Sequence, residues 1–137
     1  AGLIAAVTRE AGLRSRSSSP PPIGVGMPGS IRTRGGELLV KNSNATCLNG
    51  RPFRRDLQSA VGRPIAFDND ANCFTLAEAA FGAGRGAEVV FGVIMGSGVG
   101  GGIALGGARV WSGRSGIAGE WGHIVLDPRD GPPCYCG

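Results

Sequence analysis

The sequence is poor in several residue types that would point to particular kinds of protein. It contains one lysine, one histidine and eight aromatic residues among 137, although its formal net charge is +4. A nucleic-acid-binding surface usually presents its cations on one helix face or interleaved with aromatic residues. The arginines here are scattered among serine, proline and glycine. This distribution favours a solvated surface, so no nucleic-acid partner is predicted.

Long apolar segments are also missing from the chain. No window approaches the roughly 18 uninterrupted apolar residues that indicate a membrane-spanning helix. The first residues lack the charged start, apolar core and cleavage site of a secretory signal. We therefore predict neither a membrane partner nor secretion. Glycine (26) and proline (9) are abundant, but Leu, Ile, Val and Phe still supply roughly 23% of the residues, which is typical of a turn-rich globular protein.

The four cysteines are too few for the dense disulfide framework of a small secreted domain. Cys73 lies inside a helical pattern and Cys47 lies beside an apolar residue, so both are expected to be buried thiols. Cys134 and Cys136 form a C-x-C pair in a Pro/Gly-rich loop, and His123 precedes them. These three donors would fill three of the four positions of a tetrahedral zinc site in a reducing cytoplasm. A pair of surface thiols is the alternative.

Apolar spacing and turn residues predict an α/β chain. Leu3–Glu10 is expected to be the last part of a helix. Further helices are expected from Pro52 to Gly62 and from Ala71 to about Phe81, and Arg14–Pro22 is a predicted linker. Strands are expected at Ile23–Met27, Glu37–Val40, Ile65–Phe67, Val89–Met95, Ile103–Leu105, Arg109–Trp111 and Ile124–Leu126.

A glycine-rich segment, Gly96–Gly102, follows a predicted buried strand and is expected to form a turn. Closely spaced glycines allow backbone N–H groups to approach phosphate oxygens. The spacing imitates a dinucleotide-binding motif, but that motif needs a helix at its last glycine. The short apolar segment before Gly106 and Gly107 leaves no room for such a helix. Phosphate contact is therefore favoured over dinucleotide binding, with a tight hairpin as the structural alternative.

Two acids and two amides lie within Asp68–Asn72, where a predicted strand meets a helix. One carboxylate there could cap the helix by accepting backbone N–H bonds, but the cluster exceeds what a cap needs. A carboxylate at a strand end can instead accept the proton of an attacking hydroxyl. The residues alone leave these two interpretations equally open.

Two further polar features are compatible with a sugar site. The amides of the Asn42–Asn49 loop suit sugar hydroxyls, although ordinary turns explain such residues more often. Glu120, within Gly119–His123, could orient substrate hydroxyls or pair with an arginine.

Taken together, the motifs resemble the ROK family of sugar kinases and sugar-responsive repressors, and within it the bacterial fructokinase branch. The resemblance covers nearly everything from residue 23 onward. The segments that carry it occur in the family's order: Gly24–Gly29, Lys41–Gly50, Asp68–Cys73, Val93–Gly102, Ala118–His123 and Cys134–Gly137.

The resemblance implies an actin-like, ribonuclease H-like α/β fold of two domains flanking a cleft, present here in incomplete form. Residues 1–22 would be a helix end and linker, residues 23–88 part of the N-terminal domain, and residues 89–137 the start of the C-terminal domain. The implied activity is ATP-dependent phosphorylation of a hexose, with fructose favoured. The alternative is the sugar-binding part of a transcriptional repressor. A cytoplasmic homodimer is also implied.

The resemblance assigns roles to individual residues. Asp70 would be the catalytic base that accepts the proton of the attacking sugar hydroxyl. The sugar would contact Gly29, Asn44, Asn69 and Glu120. The ATP phosphates, with Mg²⁺ sharing their charge, would contact Gly96, Ser97, Gly98 and Gly100. Zn²⁺ would be held by His123, Cys134 and Cys136, bracing the loop that carries Glu120.

The chain also departs from the family pattern. The family's Asp-x-Gly-Gly-Thr phosphate turn and its third zinc cysteine are absent from the sequence. We therefore expect the chain to be a fragment that binds zinc incompletely and does not turn over ATP by itself.

Overall fold

The computed structural model describes residues 6–7, 9–10, 19–107 and 109–133, and these follow the predicted α/β order. Residues 6–7 and 9–10 are helical, as predicted. The later helices are α1 (Phe53–Val61) and α2 (Asp70–Phe81), and a 3₁₀ turn covers Thr46–Leu48. The strands are β1 (Ile23–Met27), β2 (Ser30–Arg34), β3 (Glu37–Lys41), β4 (Ile65–Asn69), β5 (Val89–Met95), β6 (Val99–Leu105) and β7 (Arg109–Val110).

The parallel pairing of β1 with β4 brings two predicted site segments together. The register runs from Ile23 opposite Ile65 to Met27 opposite Asn69. Because the carboxyl ends of parallel strands lie at the same sheet edge, the turn after Met27 and the junction after Asn69 are neighbours. The fold therefore places residues about 40 positions apart in the sequence side by side.

The helix α1 buries an apolar face, as its four-residue spacing predicts. Leu57 packs with Ile23 of β1 and Ile65 of β4 in a buried cluster. The rings of Phe53 and Phe67 meet edge to face beside this cluster, with centroids 5.9 Å apart. The helix ends at the predicted glycine, which adopts a left-handed conformation and donates its N–H to Gln58.

The hairpin of β2 and β3 was only half predicted, because β2 was missed. Four of its five residues are polar and its last three are exposed, so the strand shows no alternation of apolar and polar residues. Gly35 and Gly36 join the strands with φ values of 59° and 81°, as a two-residue hairpin turn requires. That glycine pair is the sequence signal that identifies the missing strand.

The antiparallel sheet of β5, β6 and β7 corrects the prediction that Gly96–Gly102 is entirely a turn. Only residues 96–98 form the turn, and β6 begins at Val99. Gly102 lies within this strand, and a glycine is needed at that position because α2 passes close to it. A Cβ added there would lie 2.9 Å from the Ala71 carbonyl oxygen. As predicted, no helix follows the glycines, which removes the dinucleotide-binding alternative.

Other predictions were wrong or shifted. Residues 124–126 form no strand: the amide of Ile124 donates to Trp121, and these residues pair with no strand in the described part of the chain. Cys47 and Cys73 are exposed rather than buried, since Cys47 lies in the surface 3₁₀ turn and Cys73 lies beside the buried face of α2. Within the described ranges, no helix is both long and apolar enough to cross a bilayer.

Candidate active site

At the junction between β4 and α2, the residue that caps the helix and the candidate base are two different residues. Asn69, which is 6% exposed, caps α2 by accepting the backbone N–H of Asn72 at 3.0 Å. Its amide nitrogen donates to the carbonyl oxygen of Gly29 at 3.0 Å. The N-cap residue is therefore an amide, and Asp70 adds one bond to the first turn by accepting the backbone N–H of Ala71.

Asp70 is exposed at the first position of α2. One of its carboxylate oxygens, Oδ1, accepts the amide of Ala71 at 3.0 Å and the side chain of Asn69 at 3.1 Å. None of the described residues donates a hydrogen bond to the other oxygen, Oδ2. The helix dipole favours a negative charge at this position. The carboxylate is thus oriented through one oxygen and open through the other, as a proton acceptor requires.

Asp68 has a different environment from Asp70. Its Oδ1 accepts the backbone N–H of Asn69 at 2.7 Å and the amide of Asn72 at 2.9 Å. These bonds hold the junction itself together. The two acids, which the sequence could not distinguish, therefore differ in the structure: Asp68 is engaged within the protein and Asp70 faces solvent.

The turn at Gly29 and the asparagine loop meet beside Asn69. Gly29 has a φ of 92°, and a Cβ added there would lie 2.8 Å from the backbone nitrogen of Ser43. Asn49 closes the loop by two hydrogen bonds, accepting from Ser43 N at 2.9 Å and donating to Ser43 O at 3.0 Å. Asn44, the next residue after Ser43, is exposed. The structure therefore gathers the Gly29, Asn44 and Asn69 segments, although Asn49 serves the loop itself.

Glu120 lies on the other side of the same helix start. A Cβ added at Gly100 of β6 would lie 3.2 and 3.3 Å from the two carboxylate oxygens of Glu120 and 3.7 Å from Cβ of Ala71. Glycine at position 100 therefore leaves room for the Glu120 carboxylate. Trp121 fixes the neighbouring backbone by donating its indole N–H to the Gly100 carbonyl oxygen at 3.0 Å.

The electrostatics of Glu120 connect it to the candidate base. Burial raises the pKa of Glu120, an N–H of Gly122 and the charge of His123 partly oppose this rise, and the charge of Asp70 adds to it. The Oε1 atom of Glu120 is buried without a hydrogen-bond partner in the described part of the protein. A buried carboxylate oxygen without a donor is unfavourable, and Glu120 as a whole is only partly buried, so the accessible part of this side chain is suited to a ligand that brings a hydroxyl.

The predicted phosphate turn lies at the end of the β5–β6 hairpin. Gly96, Ser97 and Gly98 are exposed, and Cβ atoms added at either glycine would meet nothing within 4 Å. The turn is thus accessible, and it is two residues along the chain from Gly100, which contacts Glu120. Gly100 itself lies within β6 rather than in the turn.

The predicted zinc site can be described only in part. His123 is exposed, but Cys134 and Cys136 lie outside the described residues. Among the residues that are described, no group of three His, Cys, Asp or Glu side chains is arranged to hold a metal ion. The zinc site therefore stays a prediction.

A concavity of about 700 Å³ lies along the β2–β3 hairpin and the asparagine loop. Its lining includes Arg32, Arg34, Lys41 and Asn49. Neither Asp70 nor the other junction residues line it, so this concavity borders the Asn44 side of the candidate site and does not contain the candidate base.

The fold and the site define an α/β protein with polar groups gathered at the ends of its strands. Comparison with known proteins gives the family. The sequence model of the ROK family matches residues 7–137, so this chain belongs to the ROK family. It is 37% identical over 123 residues to a glucokinase from Thermotoga maritima, covering 90% of this chain and 38% of that protein. It is 44% identical over 104 residues to an N-acetyl-D-glucosamine kinase from Photobacterium profundum, covering 76% and 33%. The chain therefore spans about a third of the length of these relatives.

Solved structures share the fold. A ROK hexokinase from Thermus thermophilus matches with a TM-score of 0.68 and 37% identity, covering 100% of this chain and 44% of that one. A Streptomyces griseus ROK glucokinase in complex with glucose and AMPPNP matches with a TM-score of 0.69 and 30% identity, covering 93% of this chain and 40% of that one. A ROK transcriptional regulator, a homologue of the E. coli MLC protein, matches with a TM-score of 0.62 and 26% identity, covering 99% of this chain and 34% of that one. The predicted actin-like, ribonuclease H-like fold is confirmed, and this chain forms part of it.

Sequence reasoning missed the separate tasks of the polar residues around Asp70. Asn72 was recognised only as one member of the cluster, yet its side chain bridges to Gly116, 44 residues away. Asn49 was grouped with the sugar-facing amides, yet both hydrogen bonds of its side chain close its own loop. The excess of amides over the needs of a helix cap was the available signal for Asn72.

Proposed function

We propose that the polypeptide containing these residues transfers the γ-phosphoryl group of ATP to a hydroxyl of a hexose, with fructose as the favoured sugar. The observation that carries this proposal is the Asp70 carboxylate. It is oriented through Oδ1, which accepts the Ala71 N–H and the Asn69 amide, and it is open through Oδ2, while Asn69 serves as the N-cap. Phosphoryl transfer needs mainly positioning, charge neutralisation and one acceptor for the hydroxyl proton.

In this mechanism Asp70 accepts the proton of the sugar hydroxyl as its oxygen attacks the γ-phosphorus of ATP. The new oxygen–phosphorus bond forms while the bond from the γ-phosphorus to the bridging oxygen breaks, and ADP leaves with that electron pair. Mg²⁺ bound with ATP would share the negative charge of the phosphates. Backbone N–H groups of Ser97 and Gly98 are proposed to contact those phosphates, supported by the accessibility of the turn. The N–H of Gly96 instead closes the turn by donating to the Gly98 carbonyl oxygen at 2.9 Å.

The sugar is proposed to lie between the junction and Glu120. A hydroxyl there could donate to the carboxylate of Glu120, whose side chain is only partly buried. Asn69 would contact the sugar beside Asp70, and Gly29 and Asn44 would border the other side. The closeness of the Gly29 turn to Asn69 supports this arrangement.

The choice of fructose rests on the resemblance of Thr46–Gly50 to the fructokinase branch. The relatives compared here are a glucokinase, an N-acetyl-D-glucosamine kinase and a hexokinase by name, so glucose and N-acetylglucosamine are the competing substrates. A reducing cytoplasm and a homodimeric assembly belong to the same proposal.

A sugar-binding regulator is the second candidate, favoured by the fold it shares with the ROK transcriptional regulator. A regulator must bind sugar but does not need an open carboxylate to accept a proton. The free oxygen of Asp70 therefore favours the kinase.

A coupled assay of ADP release, using the polypeptide encoded by the complete reading frame, tests the proposal. Fructose, mannose, glucose and N-acetylglucosamine would each be supplied with ATP and Mg²⁺. We expect sugar-dependent ADP release that is fastest with fructose and is lost in Asp70→Asn. Asp56→Asn is the control, since Asp56 lies in the first turn of α1, as Asp70 lies in the first turn of α2, and this half-buried aspartate is outside the candidate site. Sugar binding without any ADP release would favour the regulator, and fastest release with another sugar would overturn the choice of fructose.

A further inference from the structure

Asn72 is the most completely buried polar side chain of the junction, with 0% exposure. Its amide nitrogen donates to Asp68 Oδ1 at 2.9 Å and to the Gly116 carbonyl oxygen at 2.8 Å. Both partners are acceptors, so the orientation of the amide group is fixed by its surroundings. Its backbone N–H is also used, because it donates to the capping oxygen of Asn69.

These bonds join two segments that are distant in sequence. Asp68 holds the backbone N–H of Asn69, immediately before the candidate base. Gly116 belongs to the loop that leads to Glu120, and that loop is folded on itself. Ala118 N donates to Ser112 O at 3.1 Å, and Glu120 N donates to Ile117 O at 3.1 Å. A bond made at Gly116 therefore restrains the backbone that carries Glu120.

The unpartnered oxygen of Asn72 shows that simple space filling does not explain this residue. Its Oδ1 is buried without a hydrogen-bond partner in the described part of the chain. A buried polar atom without a partner is unfavourable, and a small apolar residue would avoid it. What the asparagine adds is the pair of bonds made by its nitrogen.

We propose that Asn72 is a positioning residue that fixes Asp70 relative to Glu120 by tying the start of α2 to the loop at Gly116. The inference rests on the proposed function, because those two carboxylates are the proposed base and sugar ligand. Asn72 itself lies behind them and contacts neither reacting group.

Two variants of Asn72 and one control separate positioning from stability. Asn72→Asp keeps the volume but turns acceptors toward the acceptors of Asp68 and Gly116, and Asn72→Ala removes both bonds. The control is Thr75→Val, because Thr75 is also 0% exposed on α2 and donates one hydrogen bond, to Ala71 O at 2.8 Å. The valine keeps the shape and loses that bond.

Steady-state kinetics of the complete polypeptide give the first readout. We expect both Asn72 variants to lower kcat by roughly 10- to 100-fold, as small displacements of reacting groups do. The KM for sugar should rise and the KM for ATP should stay unchanged. Thr75→Val should lose stability but keep kcat and both KM values within about twofold. If Asn72→Asp keeps kcat and the sugar KM of the wild type, the proposal is wrong.

Hydrogen exchange distinguishes failure of this proposal from failure of the proposed function. Amides of residues 112–120 should exchange faster in both Asn72 variants and not in Thr75→Val. Unchanged exchange in the Asn72 variants overturns the tie to the loop, whatever the activity. If the wild type is inactive but the Asn72 variants still exchange faster than it does, the bond between Asn72 and the loop is supported and the proposed kinase function is wrong.

Discussion

Replacing Gly102 by alanine tests the close approach of α2 to β6, on which the candidate site depends. An added Cβ would lie 2.7 Å from Thr75 Oγ1, 2.9 Å from Ala71 O and 3.1 Å from Asn72 Cα. Two of these three atoms belong to the helix backbone, so rotation of a side chain cannot relieve the contact. Overpacking of this kind costs about 1–3 kcal/mol. The backbone contacts favour the upper end, about 3 kcal/mol, which for a domain of this size corresponds to roughly 10 °C in Tm.

Urea unfolding followed by far-ultraviolet circular dichroism measures this loss. Gly24→Ala is the matched control, because a Cβ added in that strand meets nothing within 4 Å and alanine loses less conformational entropy on folding than glycine. We expect Gly24→Ala to be neutral or slightly stabilising. If Gly102→Ala unfolds within about 0.5 kcal/mol of the wild type, or if the control loses as much, the packing argument is refuted.

Two further predictions concern charge. Because burial raises the pKa of Glu120, its ionisation penalises the folded state. This penalty is absent below the unfolded-state pKa, grows as the pH rises from the unfolded to the folded pKa, and stays constant above the folded pKa. Relative to the wild type, Glu120→Gln should therefore gain stability in urea unfolding as the pH rises above the ordinary pKa of a glutamic acid, and a pH-independent difference would contradict this. Cys73 is exposed as a residue, but a Cβ added at Gly26 would lie 3.4 Å from its sulfur, and desolvation of this thiol together with the charges of Asp68 and Asp70 raises the pKa of Cys73. Asp70→Asn should therefore speed alkylation of Cys73, measured by peptide mass spectrometry, without changing the rate at Cys47. Equal rates at Cys73 in both proteins would exclude the proximity of the two groups.

Most of the fold could be predicted from local patterns, and the predictions that were wrong failed for physical reasons. The four-residue spacing of α1 was sufficient because that helix buries one face. The apolar, β-branched run of β5 correctly predicted a strand, but the prediction that this strand is buried was wrong, because only Gly92 of β5 is buried. β2 was missed because its side chains are largely polar and exposed. Residues 124–126 were predicted as a strand from their apolar side chains, but local composition carries no information about whether a partner strand is available.

The candidate site was less predictable, because its contacts are long-range. The sequence left capping and proton acceptance equally open for Asp68–Asn72, and only the bond from Asn72 N to Asn69 resolves the capping role. Individual assignments came from the resemblance to the ROK family. The tie between Asn72 and Gly116 has no local signal, since it spans 44 positions.

The most direct test of the central claim is single-turnover transfer of the γ-phosphoryl group from ATP to fructose by the complete Asp70→Asn polypeptide, with the dissociation constant for fructose measured alongside. If Asp70 is the proton acceptor, transfer should slow by about 10²- to 10⁴-fold while fructose still binds as it does to the wild type. Transfer at the wild-type rate would contradict the account, because the proton would then have another acceptor.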